Sequence, residues 1–295
     1  MEFNRIDWRP RTPAQCEVLK LICTGEGLSR IDIARRLDMP KMTVSNVAAE
    51  LIRQGLVAEG EARAASGAGR RPIELSVAEG APLVLGLCVA RGACTALLCD
   101  LGLKVLQIER AEVRGPSDAF TEGALALLDR FQAALPRVGA IGISSIGPVD
   151  TQTGVILNPP DFHGIQEVPI AEIVARRYRK PVCFNNDVKC SALVEHLFGS
   201  ARGYDDFLEL SLSNGVGSGI VVGGRLYQNE CGASGEIGHV SIDYAGPLCA
   251  CGNRGCLECY ASIPPMERRL RAVAGRDGDF RDFCRMRGAE AEAAL

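Results

Sequence analysis

The chain has 295 residues, of which 47% are hydrophobic and 23% charged, and 33 basic against 36 acidic side chains give a net charge of −3. That composition excludes a globally disordered chain, and the balance excludes attraction to nucleic acid by total charge alone. The length suits a small domain followed by a large one. Charge is spread unevenly: residues 1–75 carry 12 Lys/Arg against 10 Asp/Glu, and residues 76–295 carry 21 against 26. A DNA-facing surface, if present, is expected in the first segment. Thirteen cysteines, an odd count, follow a start (MEFNRIDWRPR) that has no apolar leader core. Reduced thiols in the cytoplasm are the expectation.

Pro13 to Cys23 spaces Val18, Leu19 and Ile22 along one helical face and stops at Gly25-Glu26-Gly27. Ser29 reads as the N-cap of a second helix with Ile31, Ile33, Ala34 and Leu37 on one face. The turn Asp38-Met39-Pro40 leads into a third helix, Lys41 to Gln54, with Val44, Val47, Leu51 and Ile52 inward. Gly55 closes it, and extended segments follow from Leu56-Val57 and over Pro72 to Val77. This order predicts a winged helix-turn-helix over residues 1–77, whose third helix enters a major groove. Lys41, Thr43, Ser45 and Asn46 stand near that helix's start, and Arg70 and Arg71 on the wing suit phosphate or a minor groove. A helical protein-interaction domain with an exposed basic loop is the plainer alternative.

Ala81 to Cys99 is almost wholly apolar, but Arg91-Gly92 interrupts it. Two buried strands joined by a tight turn fit better than a membrane span. Leu83–Val89 and Ala93–Asp100 are expected to form that hairpin, with Lys104–Val113 as a third strand. Helices are predicted over 120–134, 170–179 and 189–198, and strands over 138–144, 154–157 and 182–185. A second hairpin, 207–212 with 219–222, follows. The pattern predicts two similar α/β lobes with a cleft between them.

Cys249-x-Cys251-x4-Cys256, preceded by His239, offers three thiolates and an imidazole for a tetrahedral structural zinc, with Gly252 and Gly255 allowing tight turns. Cys259 competes as a ligand, and four unrelated buried residues is the plainer alternative.

Gly235-Glu236-Ile237-Gly238-His239, followed by Cys249-x-Cys251-Gly252-x-x-Gly255-Cys256-Leu257-Glu258, resembles the signature of the ROK family (repressors, open reading frames and sugar kinases). The likeness extends to Asn186-Asp187, to Phe198 through Gly203, to Ser144 through Asp150 and to the winged N-terminus. It implies a two-lobed, actin-like (ribonuclease-H-like) α/β fold over residues 80–295, with lobes at about 80–185 and 186–295 and a sugar between them. By this resemblance Asn186, Asp187, Glu236, His239 and Glu258 hold sugar hydroxyls, Asn158 adds a further cleft position, and Asp187 is the base in kinases. Without it, helix capping or a solvated surface explains Asp187 and Glu258 equally well.

The family's kinases carry Asp-x-Gly-Gly-Thr after the first strand, where this chain has Cys88-Val89-Ala90-Arg91-Gly92. Phosphate oxygens need the glycine amides, and Mg²⁺ needs the acid. Arg91 pointing into phosphate is the minority alternative. The second turn, Ser213 through Gly219, departs from the family's Gly-Thr-Gly start, and family members continue past the zinc loop, so the second lobe is expected to be cut short. The resemblance therefore points to the repressor branch: a homo-oligomer on double-stranded operator DNA, released by a sugar or amino sugar. An ATP-dependent sugar kinase with Asp187 as general base is the alternative.

Overall fold

Residues 12–25, 27–62, 72–159, 162, 164–228, 234–274 and 278–285 are described by the structure, a computed structural model. The first helix, α1 (Pro13–Thr24), begins in a reciprocal cap between Thr12 and Gln15 and ends at Gly25. A two-residue strand, β1 (Leu28–Ser29), leads straight into α2 (Arg30–Arg36), where Ser29 and Asp32 form a second reciprocal cap. Helix α3 (Lys41–Arg53) follows, then β2 (Val57–Ala62) and β3 (Ile73–Val77). β3 lies between β1 and β2 in an antiparallel sheet. Val18, Ile33, Val44, Ala48, Leu51, Leu56 and Leu75 close the core beneath it. Burying each large aliphatic side chain among them contributes about 1.5–3 kcal/mol.

Two details of this head differ from expectation. Ile31 is 41% exposed, because Ile33 and Ala34 are the residues of α2 that face inward. Ile31, two residues from Ile33, then falls about 200° away. The strand β1 has no sequence signal of its own, since it is created by Leu28 pairing with Leu75.

The next sheet has five strands, in the spatial order Val182–Asn186, Val138–Ser145, Leu83–Ala90, Ala93–Cys99 and Val105–Ala111. β4 (Leu83–Ala90) and β5 (Ala93–Cys99) form the expected hairpin about Arg91-Gly92, and β6 (Val105–Ala111) completes the meander. β7 (Val138–Ser145) and β10 (Val182–Asn186) run parallel to β4. A short ribbon, β8 (Val149–Asp150) with β9 (Val155–Ile156), follows β7. Helices α4 (Ser117–Asp129) and α5 (Ile170–Tyr178) add Phe120, Leu127, Leu128 and Val174 to the core formed with Leu85, Leu87 and Ile141. The helix expected to reach Ala134 ends at Asp129, and a 3-10 turn, Gln132–Arg137, holds Pro136. Proline there cannot continue α-helical geometry against the carbonyl four residues earlier.

The chain divides into two units, Met1–Asp187 and Val188–Leu295. In the second, α6 (Asp187–Leu197, whose first residue belongs to the first unit) precedes the antiparallel sheet β11 (Phe207–Leu212), β12 (Val216–Val222) and β13 (Arg225–Leu226). A Cβ at Gly219 would collide with Ala192, so glycine is what lets α6 lie directly on β12. Short helices α7 (Glu258–Ala261), α8 (Ile263–Ala274) and α9 (Phe280–Cys284) follow. Among the described residues no helix is long and apolar enough to cross a membrane.

Candidate functional site

The loop from Glu236 to Leu257 is built from backbone hydrogen bonds. Ile242 N–H donates to Gly255 (2.8 Å), Gly255 N–H to Pro247 (2.8 Å), Cys249 N–H to Asn253 (2.8 Å) and Leu257 N–H to Val240 (3.0 Å). A Cβ at Gly255, whose φ is +63°, would strike the Asp243 carbonyl, so the crossing requires glycine. This weave brings one donor atom each of His239, Cys249, Cys251 and Cys256 within 4.8 Å of one another. His239 Nδ1 lies 3.7 Å from Cys249 Sγ, and Cys251 Sγ lies 3.7 Å from Cys256 Sγ.

The Cys249 and Cys256 thiols are shifted in opposite directions. Burial alone would raise the Cys249 thiol, but hydrogen bonds from the Cys251 backbone and from the Cys251, His239 and Cys256 side chains outweigh it and hold Cys249 at about 7. Cys256 is driven up to about 12 by burial, then by its bonds to Cys249 and Cys251 and their negative charge. Thiolates so crowded oppose one another's ionisation, and a divalent ion among them removes the conflict. The cluster could hold a metal ion. Cys259, raised by burial and by Cys249, sits beside the set and outside the four.

Asn186 is the last residue of β10, paired across to Ser145, and Asp187 opens α6. An acid in the first turn complements the positive end of the helix. Asn158 is exposed beyond β9. In the second unit, the exposed Glu236 immediately precedes the 3-10 turn Ile237–His239. Glu258 opens α7 and accepts the Val216 N–H at 2.9 Å. That bond braces the β11–β12 turn, where Ser213 N–H donates to Gly215 and Ser213 accepts from Ile263 N–H. A structural duty for Glu258 thus stands beside the sugar role that the family resemblance implies.

Lys189 was not singled out from sequence. It is 2% exposed on the first turn of α6; burial lowers its ammonium below the usual range, and the Glu236 carboxylate opposes that shift. The only available signal was a lysine directly behind Asn186-Asp187-Val188.

In the β4–β5 turn, Ala90 pairs with Ala93, leaving Arg91 and Gly92 as the loop, with Gly92 at φ +76°. Cys88 is half-buried in β4, between Thr95 and Ser144 on the neighbouring strands. On α3, Lys41, Thr43 and Asn46 are exposed and Ser45 is half-buried, while Val44, Ala48 and Leu51 are buried. Met42, 71% exposed on the same turn, is a further contact candidate that polarity-based reading passed over. Arg70 and Arg71 lie outside the described residues.

Comparison with known proteins places these features. The ROK family profile matches residues 85–295, and the MarR family profile matches residues 11–71. A xylose repressor from Caldicellulosiruptor bescii is 32% identical over 264 residues, covering 87% of this chain and 64% of that protein. The chain thus spans less than two thirds of that relative's length. A crystal structure of a ROK family transcriptional regulator, homolog of E. coli MLC protein, superposes with a TM-score of 0.74 at 28% identity, over 92% of this chain and 72% of that one. The ROK hexokinase from Thermus thermophilus superposes with a TM-score of 0.59 at 33% identity, over 72% of each chain. A winged helix-turn-helix therefore precedes an actin-like α/β domain, and the chain belongs to the ROK family.

Proposed function

We propose that this chain is a DNA-binding regulator that represses carbohydrate-use genes and is released when a sugar or amino sugar binds its ROK domain. It acts in the cytoplasm, as a homo-oligomer on double-stranded operator DNA. The functional division we propose is a DNA-binding head over residues 1–77 and an effector domain over residues 80–295. One observation carries the reading. A head that exposes Lys41, Thr43 and Asn46 on its third helix is joined to a ROK domain with Cys88, Ala90 and Arg91 where a phosphate cradle needs an acid and glycines. The likeness to a xylose repressor over 87% of the chain supports it.

In this reading the start of α3 reads the major groove, and Ser45 together with Arg70 and Arg71 adds polar and phosphate contacts. Asn186, Asp187, Glu236, His239, Glu258 and Asn158 meet sugar hydroxyls, carboxylates accepting and amides or imidazole donating. His239, Cys249, Cys251 and Cys256 hold a structural Zn²⁺, four protein ligands leaving no open position for chemistry. Bound there, the ion would supply a cross-link for a loop that otherwise rests on hydrogen bonds.

The test is fluorescence anisotropy of the metal-loaded chain on DNA from its own upstream region, titrated with xylose, glucose, N-acetylglucosamine and the 6-phosphates of the last two. Salt-sensitive binding released by one of them is expected; failure to bind would remove the regulator reading. Lys41→Ala should weaken DNA binding and lower the salt slope by about one, with sugar affinity unchanged. Equal loss of both would sink the modular picture. The likeness to a hexokinase at 33% identity favours a second reading: ATP-dependent sugar phosphorylation with Asp187 as general base. Sugar-dependent ADP release that vanishes in Asp187→Asn would establish it.

A further inference from the structure

The turn between β5 and β6 is docked on the winged helix. Asp100 Oδ1 accepts the N–H groups of Gly102 and Lys104, both at 2.9 Å, and Asp100 and Lys104 also bond through their backbones at 3.2 Å. This fixes the five-residue tip and projects Leu101 away from its own sheet. Leu101 packs against the head's core, the cluster of Val18, Ile22, Leu28 and their neighbours. A Cβ at Gly102 would lie 3.6 Å from the carbonyl oxygen of Cys23 on α1. Burial, and then the charge of Asp100, push the Cys23 thiol up to about 11.

A second attachment runs beside the first. The linker between β3 and β4 is pinned by Ala78 N–H to Leu56 (3.0 Å), by Ala81 N–H to Ala78 (2.9 Å) and by Arg137 to the Glu79 carbonyl (3.1 Å). It enters the sheet at Leu83, next to the point where Val84 pairs with Cys99, the last residue of β5. The head is thus held at two neighbouring points on one end of the sheet. A single flexible tether leaves a domain free to reorient, whereas two adjacent attachments fix its orientation.

The opposite end of the same sheet carries the other relevant groups. There β4 and β5 meet at Arg91-Gly92, β7 ends at Ser145, and β10 ends at Asn186, one residue before Asp187. The eight residues of β4 span the distance, about 25 Å at 3.3 Å per residue. Strands hydrogen-bonded along their length move as one body, so a displacement at one end is delivered at the other.

We propose that the Asp100–Lys104 turn is the contact through which the effector-binding sheet orients the winged helix, so that sugar binding acts on DNA through Leu101 and the linker together. This inference rests on the regulator reading above. Its signature is selective: breaking the contact separates the two activities without abolishing either.

The experiment compares full-length parent, Leu101→Ser and Leu106→Ser. Leu106 is a control on the same hairpin, 49% exposed on β6 and clear of the head's core. DNA binding is read by anisotropy with and without whichever of the five named sugars releases the parent, and sugar affinity by calorimetry. Leu101→Ser should keep its sugar affinity within about twofold while the sugar-induced change in DNA affinity shrinks by about fivefold or more. Leu106→Ser should match the parent. Should Leu101→Ser fail to fold, Asp100→Ala loosens the turn without touching the head's core, and the same loss of response is expected. Amide hydrogen exchange at Gly102 and Lys104 should quicken in Leu101→Ser and Asp100→Ala alone. A variant with faster exchange and a full sugar response would overturn the inference by itself. A parent that binds DNA but responds to none of the five sugars would overturn the regulator reading, and the inference with it.

Discussion

In the winged helix, Leu51, Leu56, Leu75, Val18 and Ile33 are at most 1% exposed. In the loop that carries His239, Cys249, Cys251 and Cys256, Val240 and Ile242 are each 57% exposed, Leu248 66% and Tyr244 90%. Ile31 and Met42 aside, the head buries its large apolar side chains and derives stability from removing them from water. The loop displays its own to solvent, so hydrophobic burial contributes little to holding it. What remains is the backbone weave around Gly255, side-chain bonds such as Ser241 to the Arg254 carbonyl (2.7 Å), and the four donor atoms of His239, Cys249, Cys251 and Cys256. The same chain thus uses two sources of order, and each has its own failure.

The sharpest break is Cys256→Ser. Structural zinc contributes on the order of 10–16 kcal/mol to the folding of small zinc peptides, far more than one side chain in an apolar core. Cys256→Ser should lower bound metal from about one ion per chain toward zero. Amide protection at Ile242, Gly255 and Leu257 should go with it, while the head's protection stays. Metal loss with the amides still protected would show that the backbone weave stands alone. Next in size is Leu51→Ala in the fully buried stripe of α3. A cavity there should cost about 2–5 kcal/mol, read as a fall in the denaturation midpoint of the head with metal content unchanged. If metal content fell as well, the two sources of order would not be separable.

How much of this was legible in the sequence follows the same division. Helical spacing placed Val18, Leu19 and Ile22 correctly, and Ser29 declared itself as a cap, because local propensity and the core agree there. The β4–β5 hairpin was legible from Arg91-Gly92 interrupting an apolar run. The meeting of His239, Cys249, Cys251 and Cys256 was legible because Cys249-x-Cys251-x4-Cys256 keeps three of the four close in sequence. Four things were not legible. β1 exists only through its partner Leu75, and spacing alone does not say that Ile33 and Ala34, rather than Ile31, face the core. Lys189 is buried although its residue type seldom is. The bond from Val216 N–H to Glu258 joins residues 42 apart in sequence, and nothing local announces it.

The smallest expected effect lies where the head's local order meets its pairing. Ser29 ends β1 opposite Glu74 and caps α2 in the same residue. Its hydroxyl oxygen accepts the Asp32 N–H at 3.3 Å and its hydroxyl donates to Asp32 Oδ2 at 2.6 Å, while its own N–H donates to the same carboxylate at 3.0 Å. Ser29→Ala removes the acceptor for a first-turn N–H and one donor to the carboxylate, but leaves strand pairing and the Asp32 bond to the backbone. The cost should be about 1 kcal/mol, measured by urea denaturation of the full chain. Ser29→Thr restores the hydroxyl and should recover most of it. Since Leu28, one residue earlier, is anchored to Leu75, the start of α2 should stay in place and DNA affinity should change little. A loss as large as that of Leu51→Ala would mean instead that the cap, not the apolar core, sets the position of the second helix.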